Sequence, residues 1–140
     1  MPEIKGCAHF SIPVTDCAKS TKFYTDVVGM KHLFTVPKGN MVFLDAGGVC
    51  VILVKRPAPI NRQEENSDGV HHSFIVDSAA YKPALDNLRK NGVEVFFEED
   101  RRGGVVNGPR AYFRDPDGTV LEYIDLTEYM GAKSEAGKAA

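Results

Sequence analysis

Three residues in this chain are of a type and placement that can do chemistry together: His9, His71 and Glu122. Each histidine opens a strand-like segment. Each is followed by an apolar residue at +3 (Ile12, Phe74) and +5 (Val14, Val76), then by an aspartate (Asp16, Asp77). Glu122 interrupts an otherwise apolar run, Thr-Val-Leu-Glu-Tyr-Ile-Asp-Leu, near the end of the chain. A carboxylate in such a run is costly to bury unless it is paired or bound to a cation. Two neutral imidazoles and one carboxylate suit a divalent Fe, Mn, Zn, Ni or Co ion and leave coordination positions open for substrate or water. Taken singly, each residue has a plainer reading. A histidine at a strand start is commonly a hydrogen-bonded structural residue, and Glu122 can face solvent with Leu121 and Tyr123 buried. The coincidence of equivalent histidine positions with a carboxylate in the terminal strand sets the metal reading on a level with the plainer one.

Those positions rest on an internal repeat. His9–Val14 reads as a strand, Thr15-Asp16 as a helix cap, and Ala18, Phe23, Val27 and Val28 as the apolar positions of a helix that ends at Gly29. Strands are expected at Met30–Val36, Asn40–Ala46 and Val49–Val54, with turns at Lys38-Gly39 and Gly47-Gly48. The order then recurs. His71–Val76 is a strand, Asp77-Ser78 a cap, Ala79–Asn91 a helix closed by Gly92, and Val93–Glu98, Ala111–Arg114 and Val120–Leu126 are strands. Asp115-Pro-Asp-Gly118 is a strong turn signal. Pro83 belongs in a first helical turn, so the regular second helix is expected to begin near Lys82. There are 20 positions between His9 and Gly29 and 21 between His71 and Gly92, so the repeat holds in spacing as well as in order.

The expected fold is therefore α+β, with two tandem βαβββ modules at about 7–55 and 70–126. A polar linker at about 56–69 and a tail at 127–140, fraying from Gly131, complete one domain spanning 1–140. Modules this small must pack together or against those of a second chain. Net charge is −2 with both signs mixed, which excludes an obvious nucleic-acid face. No apolar stretch is long enough for a membrane span, and no signal peptide is seen. The three cysteines show no C-x-x-C spacing. Cys7 and Cys50 read as small core residues of a cytoplasmic protein.

The string HFSIPVTDCAKSTKFYTDVVGMK resembles the opening module of the vicinal-oxygen-chelate superfamily, which spans glyoxalases, bleomycin resistance proteins, extradiol dioxygenases and fosfomycin-resistance transferases. HHSFIVD, the glycine-terminated helix ending LRKNGV, and YFRDPDGTVLEYI resemble its second module. The likeness covers roughly residues 7–126. It implies paired modules forming a U-shaped, half-barrel-like metal cleft and a homodimer, with the cleft built within one chain or shared between two. It also implies a small-molecule substrate whose oxygens chelate the ion bound by His9, His71 and Glu122. Tyr112, ten positions before Glu122, falls where family members often place an active-site tyrosine, and is a candidate to hydrogen-bond a substrate oxygen; simple packing is the alternative. Ser11 is a candidate substrate contact on the face of His9. His72 is a weaker ligand candidate, since strand alternation turns it away from His71.

The sequence also departs from the family's best-known members. Where glyoxalase I carries a second glutamate that binds metal and moves a proton, this chain has Ile52. That position can only line a substrate site, so the standard glyoxalase I mechanism is not expected. No arginine follows the last strand, and RRGGVVNGP does not reproduce the potassium loop of the fosfomycin transferases. Arg101, Arg102 and Arg110 are left as candidates to attract an anion. The reading is a metal-dependent, dioxygenase-like or glyoxalase-like enzyme. Its rival is a non-catalytic protein sequestering an aromatic or antibiotic ligand among Phe34, Phe43, Phe97 and Tyr123.

Overall fold

A computed structural model describes residues 1–59 and 70–131. The remainder of the expected linker, 60–69, and the tail residues 132–140 lie outside the described residues. By its contacts the chain divides into two compact units. One is Met1–Gln63 with Asp115–Thr119, and the other is Glu64–Arg114 with Val120–Ala140.

In the first unit, β1 (His9–Val14) leads into α1 (Cys17–Lys22), which continues as a π-helical segment, Phe23–Val28. Asp16 caps α1 as expected, its carboxylate accepting from the Lys19 N–H at 3.0 Å. Gly29, at φ +95°, ends the helical run; a left-handed turn of this kind favours a residue without a Cβ. The strands β2 (Lys31–Thr35), β3 (Met41–Ala46) and β4 (Val49–Lys55) follow, and the sheet order is β1-β4-β3-β2. β1 runs parallel to β4 and the other pairs are antiparallel. Alternation puts Ile12, Val14, Val42, Leu44, Val51 and Leu53 on one face, where all are buried. The helical residues buried with them are Cys17, Ser20 and Tyr24; Ala18 is exposed, so the helix faces inward along a different stripe from the expected one.

The second unit repeats this plan. β5 (His71–Ile75) is followed by α2 (Ser78–Lys90), β6 (Val95–Arg101), β7 (Val106–Arg114) and β8 (Val120–Ile124), in the order β5-β8-β7-β6 with β5 parallel to β8. α2 begins at Ser78, with Pro83 in its interior instead of its first turn. Asp77 stands at the N-cap but its side chain makes no capping bond, and Ser78 donates instead to Asp125; the buried face of Leu85 and Leu88 carries the helix through a residue that cannot donate to the Ala79 carbonyl. β7 is longer than expected because its first residues pair elsewhere, with β9 (Glu128–Tyr129), an element the sequence did not announce. Cys7 is exposed ahead of β1, Cys50 is half-buried and Cys17 is buried, so the core cysteine is the one on the helix.

The two sheets match residue for residue. His9 pairs with Cys50 and Ser11 with Ile52, just as His71 pairs with Val120 and Ser73 with Glu122. Phe43 pairs with Ile52 as Tyr112 pairs with Glu122. Phe34 pairs with Phe43 as Phe97 pairs with Tyr112, and both edge strands carry a register shift just before that phenylalanine, His32/Phe34 and Val95/Phe97. The repeat read from spacing is thus a structural repeat with a fixed register.

Candidate metal centre

β8 lies inside its sheet, and all five of its residues are buried. Leu121 and Tyr123 face one side, where the Tyr123 ring meets Phe113 at 4.7 Å between centroids. Tyr123 is therefore a core residue of that face and not a lining residue of the site. Glu122 faces the other side with an exposure of only 2%. Its neighbours there are the diagonal His71 on β5 and the flanking Arg110 and Tyr112 on β7.

His71 Nε2 lies 3.0 Å from Glu122 Oε2. Two donor atoms each about 2.1 Å from one ion, at a right angle, stand about 3.0 Å apart, so this pair has the bite of two adjacent ligands. The nitrogen and oxygen donor set is that of a borderline divalent ion. Glu122 Oε1 is directed elsewhere, with Arg110 Nη1 3.7 Å away. His72 pairs with Leu121, on the opposite side of the strand from His71.

Tyr112 is half-buried beside this pair. Its ring centroid is 5.1 Å from that of His71, and it stacks on Phe97 at 5.4 Å with 22° between planes. Burial pushes its phenol above the ordinary value, and the negative charge of Glu122 adds to this; a hydrogen bond from Arg110 and the Arg110 charge work the other way. The balance keeps the phenol protonated and able to donate.

Arg110 is the residue of this centre whose place the sequence did not reveal. It is 6% exposed, and its Nη2 donates to the Val106 carbonyl at 2.6 Å. Arg101 and Arg102, grouped with it as anion-attracting candidates, are exposed and paired with Glu99 and Asp100. Alternation along β7 was the available signal, since Arg110, Tyr112 and Arg114 share a face, but the strand's early start at Val106 hid it.

His9 lies in the other unit, exposed at the start of β1, on the strand face that also carries Ser11. Ile52 stands across from Ser11 and Phe43, half-buried on that face. Phe34 and Phe43 pack at 6.4 Å in the same sheet. The structure thus brings His71, Glu122 and Tyr112 together in one unit, and Ser11 and Ile52 onto the open sheet face of His9 in the other. Among the described residues, no cluster of three or more His, Cys, Asp or Glu side chains is placed to hold a metal ion.

The model of the Glyoxalase/Bleomycin resistance protein/Dioxygenase superfamily matches residues 6–123. The chain belongs to this superfamily. Among curated relatives, metallothiol transferase FosB of Staphylococcus haemolyticus is 29% identical over 119 residues, covering 85% of this chain and 82% of the relative. Lactoylglutathione lyase of Escherichia coli O157:H7 is 32% identical over 127 residues, covering 84% and 90%. A solved structure of the fosfomycin resistance protein FosX from Listeria monocytogenes, complexed with Mn(II) and a dihydroxypropylphosphonic acid, superposes with a TM-score of 0.72. It is 21% identical and covers 89% of this chain and 93% of its own, which shows a shared fold. No helix among the described residues of this superfamily member is long and apolar enough to cross a membrane.

Proposed function

We propose that this chain is a metal-dependent enzyme acting on a small, oxygen-bearing substrate. His9, His71 and Glu122 hold one divalent ion, and Tyr112 donates a hydrogen bond to a substrate oxygen. The observation that carries the reading is the 3.0 Å approach of His71 to the buried carboxylate of Glu122, a donor pair with the spacing of metal ligands. When bound, a divalent ion supplies Lewis acidity to a coordinated oxygen. The third donor, His9, is implied by the family resemblance and by its equivalence to His71 in the repeat; it comes from the same chain or from a second copy in a homodimer.

The family spans several reactions, and the residues present narrow them. The register counterpart of Glu122 is Ile52, so the first module offers no carboxylate there to shuttle a proton in an isomerisation of the glyoxalase I kind. Tyr112, protonated and next to the ligand pair, is suited to stabilise negative charge developing on a substrate oxygen. A metallothiol transferase, a lactoylglutathione lyase and a Mn(II)-bound phosphonic acid complex among the relatives favour polar, Lewis-acid chemistry over oxygen activation.

Elemental analysis of protein purified without a chelating tag, repeated on Glu122→Ala, tests this. About one divalent ion per site, lost in the variant, is the expected result. An ion-free wild type that stays ion-free after reconstitution refutes the enzyme reading and leaves a ligand-sequestering protein.

A further inference from the structure

Arg110 sits in a setting that a purely structural arginine does not need. Its side chain is buried between two carboxylates, yet hydrogen-bonds neither: Nε is 3.8 Å from Glu99 Oε1 and Nη1 is 3.7 Å from Glu122 Oε1. Nε, shielded from solvent, has no hydrogen-bond partner. The one short backbone contact, Nη2 to the Val106 carbonyl, fixes the plane of the guanidinium. A buried guanidinium that forgoes a bidentate grip on either carboxylate is held by its surroundings at a set distance from Glu122.

The two oxygens of Glu122 consequently have different surroundings: Oε2 is against His71 and Oε1 is towards a fixed cation.

We propose that Arg110 is the positioning residue of this centre: it retains Glu122 Oε1, so that the carboxylate binds a metal through Oε2 alone. This rests on the metal reading given above. It adds that one guanidinium keeps a coordination position open.

The test uses wild type, Arg110→Met and Arg110→Lys, each loaded with Co(II), read by visible absorption and by competition with a chromogenic chelator. Removing a cation near the ion strengthens Co(II) binding by about tenfold or more in Arg110→Met. Release of Oε1 allows two-oxygen coordination, seen as a weaker and shifted d–d band. Arg110→Lys keeps the charge, so its affinity stays near wild type. It lacks the fork, so its spectrum moves towards that of Arg110→Met. A merely structural arginine predicts the opposite sign, weaker binding with an unchanged band, and that result overturns the proposal. If Arg110→Met does not fold, an unchanged Arg110→Lys spectrum overturns it alone. Wild type that takes up no Co(II) sinks the metal reading and this proposal together. Uptake lost in Glu122→Ala, with both Arg110 variants matching wild type, sinks only this one.

Discussion

Tyr24→Phe isolates a single buried bond on which the entry to β8 depends. The Tyr24 ring is fully buried, and its hydroxyl donates to Asp115 Oδ2 at 2.7 Å. Asp115 Oδ1 accepts from the N–H groups of Asp117 and Thr119, at 2.9 and 2.8 Å. Asp117 in turn accepts from the Thr15 hydroxyl at 2.6 Å and the Thr15 N–H at 3.1 Å. The turn between β7 and β8 is thus tied to the end of β1 and to the π-helical segment. Deleting the hydroxyl leaves one oxygen of a buried carboxylate without that donor. Hydrogen bonds to charged groups are worth about 1.5–3 kcal/mol, so the expected loss is about 2 kcal/mol. In a chain of this size that lowers Tm by about 6 °C.

The pH dependence of this loss has a definite sign. Burial raises the Asp115 carboxyl above its usual value of 3.8, although Tyr24 and the two N–H donors pull it back. The folded state therefore binds more protons than the unfolded state just above that value, and this group's contribution to stability falls as pH rises through the window. The Tyr24 bond favours the ionised form. Its loss is felt in full at neutral pH and shrinks to about 1 kcal/mol once the carboxyl is protonated. Urea unfolding of wild type and Tyr24→Phe at neutral and acid pH measures both numbers. Asp115→Asn, in a double-mutant cycle with Tyr24→Phe, supplies the coupling. A neutral-pH penalty below about 0.5 kcal/mol, or one as large in acid, refutes the reasoning.

Three further outcomes are expected. Gly108 has φ +133°, and a Cβ there would overlap the Asp125 carbonyl oxygen, so Gly108→Ala should cost at least about 2 kcal/mol in chemical denaturation and open the β7–β9 pairing; a neutral result would mean the backbone can move aside. Pro83→Ala restores a donor to the interior of α2 at an exposed position and should stabilise by about 1–3 kcal/mol, whereas a drop in thermal midpoint would show that the proline's restriction of the unfolded chain dominates. Ile52→Glu places a carboxylate diagonal to His9, as Glu122 is diagonal to His71. It should cost about 1–2 kcal/mol without metal and raise metal affinity, and a titration showing no gain would argue against His9 as a ligand.

The elements that the sequence announced were those whose pattern is local. Alternation of Ile12 and Val14 with Ser11, and the caps at Asp16 and Gly29, need no knowledge of distant residues. The parts that were hidden depend on partners far along the chain. Tyr24 is the deepest residue of the first helical run because its hydroxyl finds Asp115, 91 positions away, and the π-helical turn that carries it follows no apolar periodicity. β9 exists because Val106 and Asn107 are free to pair beyond the reach of β8, which local propensity does not reveal. At the site, His71 and Glu122 were readable because a charge in an apolar strand is conspicuous. Arg110 was not, since arginines at neighbouring positions 101 and 102 are exposed and only strand phase tells them apart.

Register equivalence gives the asymmetry of the two modules a physical meaning. Arg110 pairs with Ile124 as Met41 pairs with Val54, so Arg110, Tyr112 and Glu122 occupy the places of Met41, Phe43 and Ile52. His71 and Ser73, by contrast, have like counterparts in His9 and Ser11. The first module keeps an apolar face, for which alternation and burial are sufficient. The second holds a cation, a phenol and a carboxylate at the same three points, where each is tolerable only because the others are present. Glu122 stripped of both Arg110 and His71 would be an uncompensated buried charge, whereas Arg110 without Glu122 still has Glu99 at 3.8 Å. His9 is the residue of the first module's face whose place packing explains least, because it is exposed and Phe10, beside it, is the one turned towards the core face.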